Sequence, residues 1–475
     1  MLWSERATLE YNHNSGMSTF HLLSFGCRAS QADGAALKKQ LLQAGLREVP
    51  SAEQSGVVVL NTCTVTANAD AEVRQIIRRI HRANPLCRIM VTGCYAQRAP
   101  EEIARLEGVS WVVGNSHKHT VSEILASTLG PELVGDANIP GDSLDNIPMP
   151  ADVPALIQIG GSGAHSESTE VVSATILPPA PQGTMVRVGV ISEEFHFAPV
   201  FADDRTRPTL KVQDGCDARC SFCIIPTVRG ASRSLAPATV IQQIRELESE
   251  GYKEIVLSGI NLGGYGRDLG RSINFLGLLE RILGETAIAR IRISSIEPMD
   301  VTPDLIGLVA GEPRMAQHFH IPLQSGCDRI LRQMNRRYWA RQYAERIHAI
   351  RERVPNCGIG ADVMVGFPGE TDQDHSTSLR FLESLPMTYV HVFPYSSRPS
   401  TPAASQPRQV NGRVARDRGQ EIRELIASKR RAFLASQVGR VISSITLNET
   451  SSGERMALTT NYLKAALPGS RLGQN

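Results

Sequence analysis

Long apolar runs are missing from this 475-residue chain. No run approaches the roughly 18 residues that a membrane-spanning helix requires, so we expect no membrane partner. Residues 1–16 are polar and lack the apolar core of a signal peptide. Hydrophobic residues make up 41% of the chain and charged residues 21%, which is ordinary for a globular protein. The sequence therefore predicts a cytoplasmic globular protein.

A disulfide framework is also missing. The cysteines are odd in number, nine in all, and the chain is long and carries no visible secretion signal. Six of them fall into two sets, for which we expect metal binding or catalysis. Cys87, Cys327 and Cys357 stand outside both sets, and we expect them to lie in the core or in loops.

Charges of opposite sign are separated along the chain. The formal net charge is only +2, yet residues 120–204 hold 12 acidic residues and one arginine. Residues 205–440 hold 33 basic and 24 acidic residues, a net charge of +9. This basic block is compatible with a polyanion partner and equally with a solvated basic surface.

Alternating apolar runs and helical patterns indicate an α/β fold. Within residues 19–114 the alternation is typical of a parallel sheet covered by helices. Six further strand–helix units resemble part of an eight-fold α/β barrel and lead into a long helix near 412–437. A candidate strand at 184–192 lies in the Pro-, Gly- and Ser-rich stretch between them. The predicted segments are an N-terminal parallel βα sheet domain (17–120), an acidic linker or insertion (121–204), a central partial (β/α)6 barrel (205–438) and a short C-terminal β unit (439–475).

The strongest local signal is the set Cys216, Cys220 and Cys223, with the spacing C-x3-C-x2-C. It follows the first predicted barrel strand, 209–216, at the carboxyl edge where barrel enzymes hold their sites. Zinc sites normally gather four ligands, and no fourth Cys or His lies nearby in the sequence. Three thiolates suit a 4Fe–4S cluster that keeps one iron open. A structural zinc loop is the alternative.

Cys27, Cys63 and Cys94 form a second set, although they are far apart in the sequence. Each ends a predicted strand, within SFGC, LNTC and VTGC. Because equivalent ends of parallel strands lie on the same edge of a sheet, we expect the three thiols to converge and to hold a cluster. The alternative is that one or more of them is a buried cysteine that packs like a hydrophobic residue.

With its three-cysteine motif the barrel resembles the radical S-adenosylmethionine (SAM) superfamily. The resemblance implies that the open iron binds SAM, whose reductive cleavage gives a 5′-deoxyadenosyl radical. It also implies that an aromatic residue and several loop or strand-end residues contact SAM, namely Phe222, Gly259, Gly263, Glu297, Gly366 and Gly369. A role in turns alone is the alternative for the glycines, and a surface ion pair for Glu297. Thr371 and Asp374 have the spacing of a capping box.

Nearly the whole chain resembles the methylthiotransferases. The match runs through 211–234, 320–338 and 360–371, and the loops 26–31 and 61–70 are most similar to the threonylcarbamoyladenosine tRNA branch. The resemblance implies a radical SAM transferase that adds a methylthio group to C2 of N6-threonylcarbamoyladenosine next to the anticodon (position 37). It further implies two 4Fe–4S clusters, SAM, the tRNA anticodon stem-loop, an electron donor such as flavodoxin or ferredoxin, and a sulfur donor.

Several alternatives stay open. The same chemistry could act on isopentenyladenosine in tRNA or on a ribosomal-protein aspartate, or the chain could be a non-catalytic metal-binding RNA protein. Only 36 residues follow Gly439, so the C-terminal unit is a partial TRAM-like domain by comparison with the family. His318 and His320 share a strand face and either line the barrel or belong to a polar core. The candidate phosphate contacts, each of which is otherwise a solvated charge, are Arg229, Arg233, Arg332, Arg336 and Arg337.

Overall fold

The structure, a computed structural model, describes residues 19–129, 183–191, 206–270, 272–451 and 454–467. Most of the predicted acidic linker, together with the last residues of the predicted C-terminal unit, lies outside the described residues. None of the described helices combines the length and the apolarity needed to cross a membrane.

The N-terminal part is a six-stranded parallel sheet with the order β2-β1-β3-β4-β5-β6. Its central strands contain consecutive aliphatic residues because helices bury both of their faces. The strands are β1 (Thr19–Ser24), β2 (Arg47–Glu48), β3 (Val57–Thr62), β4 (Arg88–Gly93), β5 (Val109–Gly114) and β6 (Met185–Arg187). The helices are α1 (Arg28–Gln43), α2 (Ala67–Ala83), α3 (Cys94–Arg98), α4 (Pro100–Ala104) and α5 (Val121–Leu129).

The candidate strand 184–192 is confirmed in part. β6 covers three of its nine residues and pairs with β5, so that a piece of the predicted linker completes the N-terminal sheet, while residue 192 lies outside the described residues. Beyond β6, the backbone amide of Gly189 donates a hydrogen bond to the Ser116 hydroxyl at 3.0 Å. α5 also lies inside the predicted linker range, and its residues Val121 and Leu125 are buried against the sheet.

The central part is a six-stranded parallel wall, as the sequence predicts. Two three-stranded sheets, β7-β10-β11 and β12-β13-β14, are joined by a bridge between Ser295 and His320. The strands are β7 (Thr209–Lys211), β8 (Gln213–Asp214), β9 (Arg233–Ser234), β10 (Glu254–Ser258), β11 (Arg290–Ile293), β12 (His318–His320), β13 (Gly358–Val365) and β14 (Tyr389–Pro394). The helices are α6 (Ile225–Arg229), α7 (Pro237–Ser249), α8 (Phe275–Glu285), α9 (Pro303–Gly311), α10 (Asp328–Gln333), α11 (Ala340–Arg353), α12 (Asp372–Ser384) and α13 (Gly412–Gln437).

The predicted first barrel strand, 209–216, is two short strands instead of one. β7 pairs with β10 in parallel, whereas β8 leaves that ladder and pairs antiparallel with β9. This change of partner carries the chain out of the barrel wall and into the loop that bears Cys216. The predicted capping box is confirmed, because the Thr371 hydroxyl accepts from the Asp374 amide at 3.3 Å and the Asp374 carboxylate accepts from the Thr371 amide at 2.8 Å.

The C-terminal unit is a three-stranded antiparallel sheet of β15 (Ser444–Ser451), β16 (Glu454–Thr459) and β17 (Lys464–Leu467). The turn between β16 and β17 packs against the starts of the barrel strands. Arg292 of β11 donates to the carbonyl oxygens of Thr459 and Thr460, each at 3.1 Å. The C-terminal unit therefore closes the base of the barrel.

Candidate active site

The three N-terminal thiols converge, as the sequence predicts. Cys27 follows β1, Cys63 follows β3 and Cys94 follows β4, and these strands are neighbours in one parallel sheet. Gly26 has a φ of +97°, and a Cβ there would lie 2.5 Å from the Cβ of Cys63. Burial, followed by the charges of Cys94 and Cys27, raises the pKa of Cys63 to about 12. The N-terminal thiols are thus close enough to resist simultaneous ionisation unless a cation or metal joins them.

Hydrogen-bond donors surround these thiols. The Val65 amide donates to Cys63 Sγ at 3.5 Å, and Asn115 Nδ2 donates to Cys94 Sγ at 3.5 Å. The same Asn115 amide donates to the Val228 carbonyl oxygen at 2.8 Å, while its own Oδ1 is buried without a hydrogen-bond partner among the described residues. Amide donors to sulfur support a thiolate and are typical of cluster pockets.

A buried ionic network lies beside the N-terminal thiols and connects them to the barrel. Its members are Asp33, Lys118, Lys211, Asp214 and Arg229; we call it the Asp33 network. Arg229 Nη2 donates to Asp33 at 2.9 Å and Nη1 donates to both oxygens of Asp214, at 2.9 and 3.1 Å. Lys118 donates to Asp33 at 3.0 Å, and Lys211 contacts both carboxylates. The network links α1 to the two ends of the barrel's cysteine loop.

Burial acts to lower the pKa of Arg229, but Asp214, Cys94 and Asp33 outweigh it, and the pKa lies well above its usual value. The guanidinium therefore keeps its charge although the side chain is only 2% exposed. The prediction that Arg229 contacts an RNA phosphate is wrong, because its donors face buried carboxylates and its charge faces the N-terminal thiols.

The second thiol set lies on the loop between β8 and α6. The Ala218 amide donates to Cys216 Sγ at 3.4 Å, and Arg336 Nη1 donates to Cys220 Sγ at 3.2 Å. Burial, together with the charges of Cys220 and Cys216, raises the pKa of Cys223 to about 12. As in the first set, three thiols that disfavour each other's ionisation share a pocket with a cation.

The donor chemistry around both sets is compatible with thiolate ligands of a cluster. Among the described residues, no three His, Cys, Asp or Glu side chains approach closely enough to hold one metal ion. In an iron–sulfur cube each cysteine binds a different iron, so its ligands stand farther apart than the ligands of one ion. The nearby donors from Ala218, Val65 and Asn115 fit thiolate ligands.

The residues predicted to contact SAM border the second set to different degrees. Phe222 is half-buried and packs against Met334, Phe367 and their neighbours. Glu297 accepts a hydrogen bond from Arg336, and burial raises its pKa although Arg336 opposes the shift. Its carboxylate thus lies one side chain away from Cys220. The role of both residues toward SAM stays a prediction.

At three of the glycines predicted to contact SAM, the atoms that a Cβ would meet belong to the protein itself. A Cβ would meet Gln213 and Leu262 at Gly259, the Asp300 carboxylate at Gly263, and the Ala415 Cβ at Gly366. At Gly369 a Cβ would be in ordinary contact with Gln333 at 3.7 Å, and the φ of +78° is what favours glycine. The local need for glycine is thus explained at all four positions, and SAM contact stays a prediction at each.

Arg336 is not an RNA contact either, because its guanidinium is buried between Glu297 and Cys220. Arg233 donates to the Arg229 carbonyl oxygen at 2.8 Å. Arg332 and Arg337 are exposed, and Arg332 lies over the Trp339 ring, with 5.3 Å between its Cζ atom and the ring centroid. Of the predicted phosphate contacts, these two remain on the outer surface.

The two histidines of β12 face the inside of the barrel. His318 shares a 2.7 Å hydrogen bond between its Nε2 and the Tyr389 hydroxyl, and Ser295 shares one of 2.8 Å with His320 Nδ1. The second nitrogen of His318, Nδ1, is buried without a hydrogen-bond partner among the described residues, whereas Nε2 of His320 lies 3.4 Å from the Asp362 carboxylate. The cysteines outside both sets behave as predicted: Cys87, Cys327 and Cys357 are buried.

Sequence reasoning did not identify Asp33, Lys118, Lys211 or Asp214. A signal was present for two of them: Lys211 and Asp214 are charged residues in a stretch, KVQD, that reads as a buried strand. A charge at such a position is costly unless it is paired, so it indicates an ion pair or a site.

Two family models match the chain. The model described as Uncharacterized protein family UPF0004 matches residues 19–114, which form most of the N-terminal sheet. The model of the Radical SAM superfamily matches residues 210–382, which include the loop of Cys216, Cys220 and Cys223. This second match assigns SAM and one 4Fe–4S cluster to the barrel.

Relatives match over nearly the whole length. Threonylcarbamoyladenosine tRNA methylthiotransferase MtaB of Aquifex aeolicus is 34% identical and covers 93% of this chain and 94% of its own. MtaB of Bacillus subtilis is 32% identical, with 95% and 91% covered. The tRNA-2-methylthio-N(6)-dimethylallyladenosine synthase of Pelotomaculum thermopropionicum is 30% identical, with 86% and 82% covered. Among solved structures, the radical SAM methyltransferase TsrM of Kitasatospora setae has the same fold, with a TM-score of 0.52 at 15% identity over 82% of this chain and 77% of that one.

Proposed function

Because this chain belongs to the radical SAM methylthiotransferase family, we propose that it adds a methylthio group to C2 of N6-threonylcarbamoyladenosine next to the anticodon of tRNA. The choice of base follows relatives such as MtaB of Aquifex aeolicus, which covers 93% of the chain, against 86% for the dimethylallyladenosine synthase. A tRNA substrate would place the reaction in the cytoplasm.

We assign a second 4Fe–4S cluster to Cys27, Cys63 and Cys94. The observation that carries this assignment is the meeting of the two thiol sets at one interface. Cys94 packs against Ile224, the residue after Cys223, and against Val228 of α6. A sulfur held at the N-terminal set would therefore lie near the place where the barrel generates its radical, as a transfer between two clusters requires.

In this assignment the two clusters and SAM supply the sulfur and the radical when they are bound. The chain's own residues hold and shield them. Arg336 donates a hydrogen bond to Cys220, while Asn115 donates one to Cys94 and ties it to the barrel through the Val228 carbonyl oxygen. Burial of the Asp33 network seals the interface against water, which protects a reactive intermediate.

Nucleoside analysis of tRNA from a deletion strain tests the proposed function. We expect 2-methylthio-threonylcarbamoyladenosine to disappear and to return with the wild-type gene. It should not return with Cys27→Ala or Cys216→Ala. Cys87→Ala is the matched control, because Cys87 is buried but belongs to neither set, and it should restore the nucleoside.

Other outcomes of the same analysis would contradict the proposal. If the threonylcarbamoyl product persists in the deletion strain while the isopentenyl product disappears, the base is wrong. If both tRNA products persist and a ribosomal protein loses a methylthio group, the substrate class is wrong. Anaerobic loading that yields about one zinc per chain and no 5′-deoxyadenosine would favour a non-catalytic metal-binding RNA protein.

Two partners follow from this chemistry and belong to the proposal. Reductive cleavage of SAM needs a low-potential electron donor such as flavodoxin or ferredoxin, and repeated turnover needs a sulfur donor. The exposed arginines Arg332 and Arg337 are candidates for contacts with the tRNA anticodon stem-loop. The splayed-out base itself would enter the barrel between the two thiol sets.

A further inference from the structure

Arg28 has an unused donor at the site. It is the first residue of α1 and directly follows Cys27. Its Nη2 donates to the Tyr462 hydroxyl at 3.0 Å, and its guanidinium lies 5.9 Å from the centroid of that ring. Its Nη1 is buried and has no hydrogen-bond partner, and among the described residues no carboxylate forms an ion pair with it. A half-buried guanidinium in this state favours an incoming anion.

The carboxylates nearby do not meet this need. Glu254 at the base of the barrel is already shared by three arginines, at 2.7 Å from Arg292 and 3.3 Å from each of Arg207 and Arg290. Asp362 lies 3.4 Å from His320 Nε2 and, among the described residues, forms no ion pair with Arg28. The base of the barrel therefore carries an excess of positive charge.

Aromatic rings stand beside this charge. The Tyr462 ring stacks on His318 with 4.3 Å between centroids, and Tyr389 lies 5.6 Å from Tyr462. Burial, with Arg292 and Arg28 adding to it, holds the pKa of His318 well below its usual value, so His318 is neutral and cannot replace Arg28 as the cation. A cation framed by flat rings suits a planar base that carries an acidic substituent.

Tyr462 is held firmly in place. Its φ is +69°, in the left-handed region that few residues other than glycine adopt, so the surrounding contacts must impose this conformation. The bonds from Arg292 to Thr459 and Thr460 fix the turn that carries it. The C-terminal unit thus orients the Arg28 guanidinium.

We propose that Arg28 binds the carboxylate of the threonylcarbamoyl substituent on the target base and is the specificity-determining residue of this site, with Tyr462 as its positioning residue. The inference rests on the proposed function and names the group by which that substrate is selected. An arginine fork pairs with a carboxylate through two hydrogen bonds. An isopentenyl substituent has no charge, so it would leave Arg28 unpaired and would be rejected.

Binding of three anticodon stem-loops to the full, cluster-loaded chain tests this under argon. The RNAs are identical except that the target base carries threonylcarbamoyl, its methyl ester, or no substituent. For the wild type, Kd for the ester should exceed Kd for the acid by about tenfold or more, the loss expected for a charge-assisted hydrogen bond. Arg28→Gln should bind acid and ester alike, and Arg28→Lys should recover part of the preference.

Controls separate the possible causes. Arg47→Gln removes an exposed arginine of β2 and should leave all three Kd values unchanged. Tyr462→Phe removes the hydroxyl that receives Nη2 and should reduce the acid preference without abolishing it. Iron per chain is measured for each variant, so that loss of a cluster next to Arg28 is not mistaken for loss of recognition.

Some results would overturn the inference. A wild type that binds acid and ester equally well has no carboxylate receptor. An Arg28→Gln variant that loses the same factor on all three RNAs marks Arg28 as a backbone phosphate contact, since every RNA keeps its phosphates. Failure of the proposed function would give a different result from failure of this inference. The wild type would then not methylthiolate the acid-bearing stem-loop at all, whatever its Kd.

Discussion

The numbers of positive and negative charges in the Asp33 network predict that removing Asp33 and removing its partner Arg229 have unequal effects on stability. The network holds three cations and two carboxylates. Asp33→Asn would leave three buried cations facing Asp214 alone. Arg229→Met would leave Lys118 and Lys211 facing two carboxylates, a balanced set. We therefore expect Asp33→Asn to be the more destabilising change.

The contacts give the magnitudes. Asp33 accepts from Lys118 at 3.0 Å, from Arg229 at 2.9 Å and from Lys211. Its loss removes the carboxylate partner of Lys118 and leaves Asp214 to offset the other two cations, which should cost about 3–5 kcal/mol. Arg229→Met removes hydrogen bonds but leaves two cations and two carboxylates within the Asp33 network, so it should cost less, about 1–3 kcal/mol. The double variant should cost less than the sum by about 1–3 kcal/mol, because it restores the native excess of one cation.

Urea unfolding under argon measures these differences. Trp111 is buried in the N-terminal sheet and Trp339 lies at the start of α11, so single-tryptophan variants would follow the two parts separately. Arg281→Met is the control, since its pair with Glu285 is exposed and screened by solvent, so its loss should leave the urea midpoint nearly unchanged. Equal costs for the two single variants, or strict additivity in the double variant, would refute the charge count.

Further predictions concern pH, iron and RNA. Burial acts to raise the pKa of Asp214, but Arg229 and Lys211 outweigh it and the pKa falls to about 2, so its stabilising effect is complete above the ordinary value of 3.8 and is lost as pH falls toward 2. Urea midpoints between pH 5 and pH 2 test this, and Asp214→Asn should flatten the decline; an unchanged slope would contradict it. Cys27→Ala or Cys216→Ala should each lower the iron content from about eight to about four per chain, whereas loss of all iron in one variant would show that the sets do not load independently. Arg337→Gln should weaken stem-loop binding and reduce the slope of log Kd against log salt by about one, and a slope equal to that of the wild type would remove Arg337 from the RNA surface.

The convergence of the N-terminal cysteines was predictable because the ends of strands can be predicted from the sequence. A period-two or continuous apolar run marks a strand, and parallel strands bring their carboxyl ends to one edge, so Cys27, Cys63 and Cys94 had to converge once the sheet was predicted. The short C-terminal sheet followed from alternation in the same way. The break between β7 and β8 was not predictable, because the antiparallel partner of β8 is set by contacts beyond the strand itself.

The Asp33 network lies beyond this reasoning for a different reason. Its bond between Arg229 and Asp33 joins residues 196 positions apart, across two parts of the fold. The local sequence pattern around either residue does not indicate which distant residue it will pair with. The same holds for Arg28 and Tyr462, which are separated by 434 positions. Residues that connect parts of a fold are visible in the sequence only as charges that the local pattern does not explain.

The buried arginines show why the net charge of a segment does not measure how much basic surface it offers to RNA. Two of the candidate phosphate contacts, Arg229 and Arg336, lie inside and face one thiol set each. Three thiols brought together concentrate negative charge when they ionise, and a buried guanidinium offsets it without a proton to lose. Part of the +9 charge of residues 205–440 therefore faces the two thiol sets. Only cations on the outer surface, such as Arg337, remain available to an RNA, so mapping that surface must begin from exposure and not from composition.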